Sequence, residues 1–179
     1  MRTSYRTSAL LLMLLGVALF SCKKEDTSAG IEITNGSFED SGFSTDGWVV
    51  SNTGSSSDVP TGGGAFSLMI APDGVPAEGY ADYTINNLSG TKNLKLTCCI
   101  KAFDSWPGSV SLRKVSSSGV ISVLGTEASD VSEWTLKTIE TSATFNSGDK
   151  LVVHLSAGST EIPVATQYDL FDLVTLSEE

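Results

Sequence analysis

From Ile31 onward, apolar residues recur at every second position and no window holds them at helical spacing, which is the pattern of half-buried strands. In the run from Leu94 to Phe103, the side chains of Leu94, Leu96, Cys98 and Ile100 leave one face of an extended chain. Residues 110–115 and 120–124 flank Ser116-Ser117-Ser118-Gly119, and residues 134–145 and 151–157 flank Asn146-Ser147-Gly148-Asp149. Both connections have the length and composition of hairpin loops. The same alternation predicts strands at 31–39, 48–51, 65–70, 80–88 and 167–177. About ten short strands separated by Gly, Ser, Asn and Asp predict an all-β fold, a two-sheet antiparallel β-sandwich or jelly roll. No internal repeat or second boundary interrupts residues 31–179, so one domain is expected there.

The segment before it follows another pattern. Arg2 and Arg6 precede an unbroken small or apolar run from Ala9 to Phe20, too short for the roughly 20 residues of a membrane-spanning helix and typical of a secretory signal. Leu19-Phe20-Ser21-Cys22 resembles a bacterial lipobox. That resemblance implies a signal peptide over 1–21 and lipidation of Cys22, with each buried methylene contributing about 0.8 kcal/mol to the anchor. Lys23-Lys24-Glu25-Asp26 is similar to the export signal of surface lipoproteins in Bacteroidetes-type bacteria, which implies the outer membrane, facing the cell exterior. Residues 22–30 are then the lipidated cysteine and a short polar tether, reaching at most about 27 Å when extended.

Charge narrows the partners. The 179 residues carry 11 basic and 21 acidic side chains, a net charge of −10, and loss of Arg2 and Arg6 with the signal makes it −12. Such a chain lacks the basic face that nucleic-acid binding needs, and contact with an anionic membrane would rest on the lipid alone. One histidine and three cysteines leave little for a zinc site. Cys98 and Cys99 are strand neighbours and face opposite ways, so Cys98 is expected as a buried thiol and no disulfide framework is expected to hold the domain.

Catalytic constellations are sparse. His154 alternates with Leu151, Val153 and Leu155 and so falls on an outer sheet face, where an exposed position is expected. Acidic residues such as Asp46, Asp58, Asp73, Glu78 and Asp104 could supply the two carboxylates of glycoside hydrolysis, but an acidic protein carries many for solvation alone. A ligand platform is easier to find. Trp106 stands before Pro107-Gly108, which ends the strand and leaves the indole on a loop beside Asp104. A flat apolar face next to a hydrogen-bond acceptor suits a sugar ring, and Tyr80 and Tyr83 are further candidates.

Asn35-Gly36-Ser37-Phe38-Glu39 followed by Gly47-Trp48, Gly62-Gly63-Gly64-Ala65-Phe66-Ser67-Leu68, and the closing stretch from Tyr168 to Leu176 resemble carbohydrate-binding modules of the galactose-binding-like β-sandwich type. The resemblance implies that Trp48 and Trp134 pack between the sheets. It also implies a structural calcium ion, with carboxylates from Asp172 and Glu39 and a carbonyl from Ser37, hard oxygen ligands that suit this cation. Where that family often has another acidic residue or asparagine, this chain has Leu173, which shortens the ligand set. By strand alternation Asp172, Val174 and Leu176 share one face.

The resulting expectation is a cell-surface lipoprotein whose sandwich binds a polysaccharide or oligosaccharide without catalysis. The alternatives are an accessory subunit among outer-membrane partner proteins with no glycan of its own and, third, a carbohydrate-active enzyme.

Overall fold

Alternation is realised as two five-stranded antiparallel sheets packed face to face. The computed structural model describes residues 31–71, 79–103, 107–157 and 168–179, and among them no helix occurs. The strands are β1 (Trp48–Ser51), β2 (Thr53–Ser56), β3 (Ser67–Ile70), β4 (Tyr80–Ile85), β5 (Gly90–Lys101), β6 (Gly108–Val115), β7 (Ile121–Ser129), β8 (Thr135–Phe145), β9 (Lys150–Ser156) and β10 (Asp169–Glu178). Sheet one has the order β1-β4-β9-β6-β7 and sheet two the order β2-β3-β10-β5-β8. The chain changes sheets at Asn52, whose φ of 51° turns it sharply and whose Nδ2 donates to the Ala71 carbonyl at 2.9 Å. Asparagine tolerates that left-handed conformation better than most residues.

The core lies between the sheets. Leu94, Leu96, Cys98 and Ile100 of β5 and Phe171, Val174 and Leu176 of β10 meet Val110 and Leu112 of β6 and Leu151, Val153 and Leu155 of β9, all buried. Both anticipated hairpins form, and Asp149 ties them together. Its carboxylate accepts the amides of Asn146 (2.8 Å) and Ser117 (3.2 Å) and pairs with Lys114 Nζ at 3.0 Å.

Four expectations are corrected. Residues 31–39 are not a strand: Asn35 and Phe38 have φ of 55° and 58°, and the segment folds as turns that drop Phe38 onto Trp48, ring centroids 5.4 Å apart. In β10, the register with β5 shifts between Asp172 and Thr175, with Leu173 at φ 50°. This β-bulge inserts one residue, so Asp172 faces away from the core that Val174 and Leu176 enter.

Trp134 lies on the outer face of sheet two with Leu136, against buried Cys99 and Leu173. There its Nε1 donates to Asp58 Oδ1 at 2.9 Å, while Lys101 pairs with the other oxygen. Desolvation pushes the Asp58 carboxyl up, but the hydrogen bonds from Lys101 and Trp134 outweigh it and hold the group below its ordinary value. They strap the β2–β3 connection across the sheet. Fourth, Cys98 is the free buried thiol expected, with burial and then the Asp172 charge pushing it up, but Cys99 on the opposite face is disulfide-bonded.

Candidate functional site

Two places gather ionisable groups with atoms left unsatisfied. The first is the outer face of sheet one. Because Ala81, Val110, Leu112, Val153 and Leu155 point into the core, their strand neighbours Tyr80, Asp82, Ser109, Ser111, Arg113, His154 and Ser156 point out. Pairing aligns Asp82 with His154 and His154 with Ser111 in one row, and Tyr80 with Ser156 and Ser156 with Ser109 in the next.

Three strands distant in sequence thus make one polar surface. Asp82 Oδ1 lies 2.6 Å from His154 Nδ1, the Tyr80 ring stacks on the imidazole at 6.0 Å and 21°, and the Ser109 and Ser156 hydroxyls are 2.8 Å apart. Arg113 folds back along β6 so that its Nε donates to Ser111 Oγ at 2.9 Å.

The floor of this surface is not exposed as expected. His154 is 7% exposed and Ser111 3%. A carboxylate only accepts hydrogen bonds, so Nδ1 carries a proton in the bond to Asp82, and in the uncharged imidazole Nε2 is left as an acceptor. That Nε2 is buried and has no partner. A buried polar atom without a hydrogen bond is unfavourable by roughly 1–3 kcal/mol, and here it faces the side of the sheet away from the core.

The second place lies between the opening turns and β10. Asp172 is fully buried, with Oδ1 accepting its neighbour Leu173 N–H at 2.6 Å and Oδ2 unpartnered. Burial, and beyond it the negative charge of Glu39, push the Asp172 carboxyl up to about 8, against the single hydrogen bond that favours its ionised form. Glu39 Oε1 accepts the amides of Ala65 (2.7 Å) and Phe66 (2.5 Å). Gly63 and Gly64 make room: a Cβ on Gly63 would stand 2.3 Å from Asp172 Oδ2, and one on Gly64 2.6 Å from Glu39 Oε1.

The orphaned oxygen, the neighbouring carboxylate and the side-chain-free cradle fit a hard cation. Among the described residues no three His, Cys, Asp or Glu side chains converge on a metal position, so an ion here would draw its remaining ligands from carbonyls or water. Ser37 lines a cavity of about 340 Å³ with Asn35, Asp40 and residues 173–176, a lining that includes neither Glu39 nor Asp172.

Of the sequence-derived ligand candidates, Tyr80 is on the polar face. Tyr83 packs instead against the core, 5.2 Å from Trp48, with its hydroxyl bonded to Thr34 Oγ1 at 2.9 Å; both its ring and its oxygen are used by the fold. Asp104, Trp106 and Cys22 lie outside the described residues. Asp82, Ser111, Arg113 and His154 were not anticipated as a group. The available signal was that each alternates with core residues on its strand, but nothing local says that β4, β9 and β6 are neighbours.

The sequence matches no family model and no curated protein. Solved structures are more informative. The fold is similar to the bacteriophage CBA120 tailspike protein 4 enzymatically active domain (TM-score 0.60, 14% identity, 82% of this chain), of which it spans 21%. It is also similar to the family 16 carbohydrate-binding module-2 (0.58, 16% identity, 82% of this chain and 99% of that one). A third neighbour is the C-terminal family 22 carbohydrate-binding module of Clostridium thermocellum Xyn10B (0.55, 13% identity, 75% and 87%). The chain therefore has the β-sandwich fold of these carbohydrate-binding modules, at identities that speak for the fold alone.

Proposed function

We propose that the domain is a non-catalytic carbohydrate-binding module whose glycan lies on the outer face of sheet one. The observation that carries the reading is the buried, partnerless Nε2 of His154 on a surface that also offers the Tyr80 ring and a row of hydroxyls. A sugar hydroxyl would donate to Nε2 while a C–H face of the ring rests on Tyr80. Modules of similar fold are carbohydrate-binding ones, which supports the reading.

Affinity electrophoresis of the full-length protein in mild detergent, through gels containing neutral or acidic polysaccharides, tests it. Retardation by at least one polysaccharide, abolished by His154→Ala and Tyr80→Ala, is the expected result. No retardation in any gel would remove the proposal.

Two further parts of the reading rest on sequence or local chemistry. Calcium would be held by Asp172 and Glu39, fixing the opening turns to β10, with Ser37 a candidate third ligand. The lipobox supports a lipid anchor on Cys22 at the outer surface of the outer membrane. Palmitate labelling that disappears in Cys22→Ala checks the anchor, and protease digestion of intact cells checks the orientation. A sulfur that carries the lipid cannot also hold a disulfide, so lipidation requires that Cys22 not be the partner of Cys99; mass analysis of the Cys22 peptide decides between the two fates.

A second reading, an accessory subunit docked on other outer-membrane proteins, draws on Val120, Ile121 and Val123, exposed at the free edge of sheet one.

A further inference from the structure

Arg113 differs from the other paired cations of the domain. Lys92, Lys95, Lys101 and Lys114 each face a carboxylate. Arg113, the sole arginine after Arg6, has no ion pair among the described residues: its one partner there is the Ser111 hydroxyl, bonded through Nε. Its cross-strand neighbours are Val152 on β9 and Val123 on β7, so no acid stands opposite it, and the one carboxylate of the row below, Asp82, is engaged by His154.

Ser111 sits directly across from His154, and opposed side chains on neighbouring strands have Cβ atoms roughly 5 Å apart. The bond to Ser111 therefore brings the guanidinium back toward the imidazole. Two terminal nitrogens and one buried Nε2, none with a partner among the described residues, are gathered on the same face.

We infer that this face recognises an acidic sugar: Arg113 binds the carboxylate of a uronic acid residue while His154 Nε2 accepts a hydroxyl of the same ring. This rests on the glycan-binding reading and names its ligand class. A guanidinium matches a carboxylate through two parallel N–H···O bonds, a geometry that neither a lysine nor a neutral sugar reproduces. The net charge of −10 does not forbid an anionic ligand. At physiological ionic strength, charges more than about 8 Å away are largely screened, whereas a direct contact with a half-buried guanidinium is not.

The test uses the full-length protein in detergent and titration calorimetry with oligosaccharides of galacturonate, of alginate and of glucuronoxylan, each compared with its methyl ester. Esterification keeps the sugar and removes only the charge and one acceptor geometry. At least one acid should bind about tenfold or more tighter than its ester, in line with a charge-assisted hydrogen bond. Arg113→Gln should weaken the acid far more than the ester and so bring the two to similar affinity, and Arg113→Lys should restore the preference only in part. Equal binding of acid and ester by the wild type, or a preference that survives Arg113→Gln, overturns the inference and leaves glycan binding standing. Absence of binding to every acid, ester and neutral polysaccharide overturns both.

Discussion

Asp172 and His154 are both more than nine-tenths buried, and each has one side-chain atom satisfied and one without a partner. They differ in their companions. Asp172 stands near a second carboxylate, Glu39, under glycines that leave space around both. His154 donates its Nδ1–H to a carboxylate, which in the uncharged imidazole leaves the other nitrogen as an acceptor. Like charges brought together call for a cation, whereas an imidazole nitrogen left as an acceptor calls for a hydroxyl. The first deficit lies where the opening turns meet the last strand and bears on stability. The second lies on an outer sheet face, where the proposed glycan would meet it.

If that contrast is right, disturbing the two places gives opposite readouts. A large effect is expected from calcium. At a free concentration of about 100 times the dissociation constant, a bound ion adds about 2.7 kcal/mol, which for a domain of this size is a rise of roughly 5–10 °C in midpoint. Calorimetry with calcium and then with chelator should show a drop of that order. An unchanged midpoint would mean that Asp172 and Glu39 hold no ion.

Gly63→Ala comes next. The added Cβ would lie 2.3 Å from Asp172 Oδ2 and 2.7 Å from Pro60 Cδ, and crowding of this kind typically costs about 1–3 kcal/mol. Chemical denaturation should report that loss, together with a weakened response to calcium.

The pH response has a definite sign. In chelator the folded Asp172 carboxyl titrates near 8, above its unfolded value of 3.8. The folded state therefore holds a proton that the unfolded state has released, and stability falls as pH rises from about 4 to about 8. Unfolding midpoints across that window should decline for the wild type and decline less for Asp172→Asn. A slope identical in the two proteins would place the titration elsewhere.

Tyr80→Ala should move stability least, by about 1 kcal/mol or less, and His154→Ala, which also removes a buried hydrogen bond to Asp82, somewhat more. Both should nevertheless lose glycan retention. A large stability loss without a binding defect would turn the polar face into a structural feature and erase the contrast with Asp172.

Alternation carried much of the fold. Strands β5, β6, β8, β9 and β10 are long enough for apolar side chains to mark one face repeatedly, and the turns at 116–119 and 146–149 announce themselves by composition. Alternation failed where the backbone departs from extended geometry. Asn35 and Phe38 at positive φ convert an apparent strand into turns, and the extra residue at Leu173 turns Asp172 to the other side of its sheet. A period of two cannot register an inserted residue. Trp134, read as core, is drawn outward by Asp58, a partner 76 residues away.

By itself, then, the amino-acid sequence determined the fold class, most strand positions and which residues could take part in a site, because those follow from local periodicity and side-chain chemistry. Only the tertiary structure decided that Tyr80 and Asp82 of β4, His154 of β9 and Ser111 and Arg113 of β6 form one surface. Strand order in a sandwich is settled by the closing of sheets over a shared core, an interaction between segments far apart in the chain, and no local pattern encodes which segments will meet.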